Sequence, residues 1–117
     1  MNNTLTALVV KFVMTFLLAT IAFRFVDANT WQWILVVSVA STLLNYLVGD
    51  LLVLPTLGNA VASVGDGLMG ALLAYAVAVY IPEFSASFAG LAVFAVTVAL
   101  GEYFFHQFLL SADKVAP

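Results

Sequence analysis

Cysteine is absent from this 117-residue chain, which excludes disulfides, thiolate metal sites and cysteine nucleophiles and leaves the redox compartment unmarked. Charge is nearly absent as well. Charged residues make up 8% of the sequence, against roughly a quarter in a soluble domain, too few to cover a water-facing surface. Basic residues are the scarcest: three Lys and Arg stand against six Asp and Glu, for a formal net charge of −3. Without a clustered basic face there is nothing to hold phosphate, and nucleic acid is not expected as a partner. Strand-like alternation of apolar and polar residues is also lacking, which argues against a membrane β-barrel. What the chain has in quantity is hydrocarbon: 65% of its residues are hydrophobic and the mean hydropathy is +1.17. The expected class is an all-α integral membrane protein, a single transmembrane domain over residues 1–117. Four spans use up most of that length, leaving no room in it for an extramembrane catalytic domain, so neither an enzyme nor a cofactor is expected.

The spacing of the apolar runs predicts four helices, at about 5–25, 31–54, 60–81 and 88–110, in an up-down-up-down bundle. The first run is too long for the apolar core of a signal peptide and no basic residue precedes it, so it reads as a span despite the small-residue step Val26-Asp27-Ala28. Arg24, Asp27, Asn29 and Thr30 with Trp31 and Trp33 form a short polar turn with aromatic rings suited to the headgroup level. Pro55 is expected to end the second helix and Thr56 to Asn59 to make a tight turn. Pro82 closes the third, and Glu83, Ser85 and Ser87 lead into the fourth.

The ionisable residues outside the loops are not scattered. In an up-and-down bundle the start of helix one, the end of helix two, the start of helix three and the end of helix four share one membrane face. Lys11, Asp50, Asp66, Glu102 and His106 occupy those ends. Counted inward at 1.5 Å per residue, they lie about 9, 6, 9, 12 and 6 Å from the edges of their spans. Facing lipid, such groups would cost about 2.5–3.5 kcal/mol each at the bilayer centre, so they are expected to face one another or water. Glu102 and His106 are four residues apart and share a face. Ser38, Thr42, Asn45 and Gly49 make a polar and small ribbon on the second helix, with Asp50 off to one side beside Tyr46. Three carboxylates face one ammonium. Even with Lys11 paired and His106 protonated, one carboxylate is left to be protonated, hydrated or bound to a cation.

Along the third helix Ala62, Asp66, Gly70, Ala74 and Ala78 recur every four residues, a stripe that permits close helix packing. Ala62, Gly70, Ala74 and Ala78 are therefore the expected seam for another helix, in this chain or another copy. Gly49-Asp50 and Gly65-Asp66 put two glycine-preceded aspartates on neighbouring helices, but the Gly-x-Gly-Asp pattern of intramembrane aspartyl proteases is incomplete at both. His106 and Glu102 alone supply only two metal ligands and need a third from Asp50 or Asp66, so no metal is expected.

Lys11-Phe12, the stretch Tyr46 to Pro55, Gly58 to Ala62, Asp66 and Gly101 to His106 together resemble the YndM-like family of small four-helix membrane proteins. The resemblance covers nearly the whole chain. It implies four spans in the plasma membrane of a Gram-positive bacterium and no assigned activity, and the family's polar positions fall on Lys11, Asp50, Asp66, Glu102 and His106. Where that family often has a basic residue after the proline, this chain has Thr56 and Leu57. Orientation then rests on Lys114 and Lys11 against Arg24, which places both termini in the cytoplasm. The function expected first is structural or interaction-based, with the bilayer and a second copy or another membrane protein as partners. The alternative is a proton- or cation-coupled transporter or channel, acting as a homo-oligomer and using the same five residues.

Overall fold

The computed structural model describes residues 3–112. Lys114 lies outside the described residues. Helix α1 (Asn3–Ala19) runs straight into a π-helical segment (Thr20–Val26), and α2 (Trp31–Leu44) into a second one (Asn45–Val53) followed by the short α3 (Leu54–Leu57); α4 (Asn59–Tyr80) and α5 (Phe88–Ala112) complete the chain. Among the described residues there is no strand. The four continuous helical stretches, Thr4–Val26, Trp31–Leu57, Asn59–Tyr80 and Phe88–Phe108, are each long and apolar enough to cross a membrane. The longest dimension is 40 Å, close to the roughly 40–45 Å of a bilayer with its headgroups.

The polarity of the bundle is inverted relative to a soluble protein. Leu17, Leu47, Leu72 and Val96 are exposed on its outside, whereas Lys11, Asp66, Glu102 and His106 are fully buried. Two apolar clusters sandwich that polar layer. Ala7, Leu54, Ala62 and Phe105 pack on the side of the termini. On the other side Ala19, Phe23, Ile34, Phe84, Phe94 and Val98 form the larger cluster, with the Phe23 ring 4.9 Å from Phe94 and 5.4 Å from Phe84.

At the far end the turns are tied by side chains. Asn29 Nδ2 donates to the carbonyls of Phe23 and Ser85, and Asn29 Oδ1 accepts from the Ser85 N–H. Asp27 accepts from the backbone N–H and hydroxyl of Ser87. Arg24 caps the turn by donating to the Asn29 carbonyl and lying over the Trp31 ring. These bonds join the connection after the first span to the one after the third, as an antiparallel bundle requires.

One expectation is corrected here, and a second, left open between two alternatives, is decided. Pro55 does not end the second span: the helical backbone runs on through it to Leu57, with the Leu54 N–H still bonded to the Gly49 carbonyl. The reversal falls instead at Gly58, whose φ of 88° suits a residue without Cβ. The seam of α4 faces inward, so it offers no surface to a second copy. Ala62, Gly70 and Ala74 are buried and Ala78 packs against the larger apolar cluster. A Cβ on Gly70, within the stripe, would meet the Phe94 ring at 3.0 Å, and one on Gly67, beside it, would collide with the Ala95 carbonyl. The occupant of the seam is α5.

Candidate functional site: a buried charge centre

All five ionisable residues singled out in the sequence meet. Lys11 on α1 donates to both carboxylate oxygens of Asp50, at 3.1 and 3.0 Å, and to Glu102 Oε1 on α5 at 2.7 Å. His106, one turn beyond Glu102, places Nε2 2.9 Å from Asp50 Oδ1, 3.2 Å from Asp66 Oδ2 and 3.4 Å from Glu102 Oε1. Every one of these side chains is at most 1% exposed. Four helical stretches therefore contribute to one centre, and Lys11 also lies over the Phe105 ring at 5.1 Å.

The position of Asp50 depends on the π-helical segment. With ordinary α-helical spacing Asp50 falls beside the buried ribbon, facing the same way as Tyr46. In a π-helix the backbone hydrogen bond spans i to i+5 and the turn is wider, which brings Asp50 toward the face of Asn45, and Asn45, Gly49 and Asp50 are all buried. Such segments recur at functional sites. Gly49 is needed as well: a Cβ there would collide with the Asp66 carboxylate.

The orientation of the imidazole follows from a chain of donors and acceptors that the sequence reading did not identify. Asn59 Nδ2 donates to the Tyr103 carbonyl at 2.9 Å, which fixes the amide so that Oδ1 faces His106. That oxygen accepts from Ser63 Oγ and lies 2.9 Å from His106 Nδ1; since it is an acceptor, Nδ1 carries a proton. Nε2 is then the atom turned to the three carboxylates. The signal for it is the i, i+4 spacing of Asn59 and Ser63, on the same side of α4 as Asp66; Asn59 opens the helix instead of closing the turn.

The hydrogen bonding of the centre is incomplete on its acidic side. Nε2 is aligned on Asp50, and neither oxygen of Asp66, nor Glu102 Oε2, has a hydrogen-bond partner. Beyond it, deeper along α1 and α2, the side chains of Thr15, Ser41, Thr42 and Asn45 are buried and likewise unpartnered. Single ligand atoms of Asp50, Asp66, Glu102 and His106 lie within 4.8 Å of one another, a four-ligand grouping where the sequence promised two ligands and the need of a third.

An all-helical chain with four membrane-capable helices around one buried charge centre is the class that fold and site define. The chain belongs to the family described as "Protein of unknown function (DUF2512)", whose match covers residues 2–115. No curated protein and no solved structure matches it.

Proposed function

We propose that the chain is a multi-pass membrane protein of structural or interaction type, in which the buried charge centre locks the helices in register. The observation that carries this reading is Lys11, whose ammonium joins Asp50 and Glu102 and thereby links three spans without any contribution from the loops. Association of helices in lipid lacks the hydrophobic drive available in water, so interhelical polar contacts and close packing are what remain to specify the arrangement. The resemblance to the YndM-like proteins extends the reading to a bacterial plasma membrane, and the distribution of basic residues puts both termini on the cytoplasmic side, nearest the centre. Any partner or second copy would dock on the outer face, since α5 fills the seam of α4. Substituting Lys11→Met tests the proposal: a marked loss of thermal stability in detergent is expected, and melting at the parental temperature overturns it.

A second reading, proton- or cation-coupled transport, is favoured by one observation: the unpartnered Thr15, Thr42 and Asn45 extend polarity inward from the centre. Flux of protons or alkali cations into liposomes, abolished by Asp66→Asn in a folded protein, is its test; absence of flux from the parent protein rejects it.

A further inference from the structure

We propose that the charge centre is a binding site for one divalent transition-metal ion, held by Asp50, Asp66, Glu102 and His106 with Lys11 as a fixed counter-charge. Carboxylates clustered in a protein do not by themselves make such a site. Three further features of this one do.

The first is the state of Asp66. Its side chain is fully buried, neither oxygen makes a hydrogen bond, and Oδ2 lies 3.2 Å from His106 Nε2 on the inner side of the group. A carboxylate withdrawn from water, whose neighbouring imidazole nitrogen is already aligned on Asp50, calls for a cation. The backbone makes room for it, since the absence of a side chain at Gly49 leaves the volume that the carboxylate fills.

The second is the imidazole. Asn59 Oδ1 accepts the Nδ1 proton, the arrangement by which metal-binding histidines are held in one tautomer with Nε2 directed at the ion. Here Nε2 is directed at three carboxylates. Its separations of 2.9, 3.2 and 3.4 Å from their oxygens compare with about 3.3 Å between ligands that each lie about 2.0 Å from a tetrahedral ion.

The third is charge. Three carboxylates and one ammonium leave two negative charges in a volume from which water is excluded, and one divalent ion beside a neutral imidazole brings the total to zero. Oxygen ligands with a single nitrogen, and no sulfur, suit Mn²⁺, Fe²⁺ or Zn²⁺, and the imidazole disfavours Mg²⁺ and Ca²⁺.

The experiment uses the full chain in detergent micelles, treated with a chelator and dialysed against Mn²⁺ or Zn²⁺. Binding of one ion per chain is expected, unaffected by excess Mg²⁺, and weakened at least tenfold in Asp66→Asn. Asn59→Ala, which removes no proposed ligand atom but takes away the acceptor of the His106 Nδ1 proton, is expected to weaken binding about 10–100-fold by releasing the ring. Pulsed electron paramagnetic resonance of Mn²⁺ on the parent protein should show coupling to one imidazole nitrogen, a readout that needs no variant to fold. Lack of stoichiometric binding to the parent, an Mn²⁺ spectrum without nitrogen coupling, or equal affinity in a folded Asp66→Asn protein would each overturn the proposal. Stability of Lys11→Met in metal-free buffer is measured separately, so failure of the structural reading and failure of this one are told apart.

Discussion

The ammonium of Lys11 lies 2.7 Å from Glu102 Oε1, with both side chains fully buried and 91 positions apart in the chain. Nothing local brings them together. The contact closes the first span against the last, and Asp50 on the second shares the same ammonium. Removing one member of such a group strands the others, which is far more damaging than replacing the whole group by apolar residues.

Lys11→Met is accordingly expected to lower stability by about 3–5 kcal/mol. Thermal unfolding in a fixed detergent, followed by circular dichroism, measures it. Adding Glu102→Gln to Lys11→Met should recover part of the loss, because one of the stranded charges is then gone; a double variant less stable than the single one contradicts the account.

Two glycines of α4, two residues apart, should respond in opposite senses. A Cβ at Gly65 meets nothing within 4 Å, so Gly65→Ala is expected to gain about 0.5–1 kcal/mol from the reduced freedom of the unfolded chain. At Gly67 a Cβ collides with the Ala95 carbonyl, so Gly67→Ala should destabilise by about 1–3 kcal/mol as α4 and α5 are forced apart. The two melting temperatures, compared with that of the parent, decide the matter.

Gly49→Ala should act on the charge centre without altering any charge. The added methyl collides with the Asp66 carboxylate, so Asp66 must move away from His106. A changed His106 ring environment, read by nitrogen-15 NMR of the imidazole, is the expected outcome; an unchanged spectrum would show that the glycine is not needed there.

Asn29→Ala removes three hydrogen bonds to backbone groups of two separate turns. The buried carbonyl of Phe23 loses a donor, and a loss of about 1–3 kcal/mol is expected, together with faster cleavage between residues 82 and 87 in limited proteolysis. Cleavage at the parental rate would mean that the clamp does not hold the turn.

Much of the architecture was legible because lipid imposes a simple rule: uninterrupted apolar length makes a span, and charge within it turns inward. Thus residues 31–54 and 60–81 were expected and Trp31–Leu57 and Asn59–Tyr80 observed. The meeting of Lys11, Asp50, Asp66, Glu102 and His106 followed from counting alternate ends. What escaped was register. No residue between Asn45 and Val53 announces a π-helix, yet that wider turn carries Asp50 from the flank of α2 to its buried face. Pro55 escapes for a related reason, since the helical backbone carries on past it to Leu57 directly after the π-helical segment. The partner of the α4 stripe was beyond the sequence too, because small residues state that a helix comes close and not which one.

The two apolar clusters differ in depth. On the side of the termini, Ala7 and Ala62 stand four residues from Lys11 and Asp66, about 6 Å along each helix. On the other side, Phe23 stands twelve residues from Lys11, about 18 Å, and its cluster closes the bundle beyond the buried Thr15, Thr42 and Asn45. In a bilayer the centre would therefore lie, electrically, close to one aqueous phase. An ion entering it from the near side would traverse a small part of the membrane voltage, so occupancy would follow the composition of that compartment and stay almost indifferent to polarisation of the bilayer.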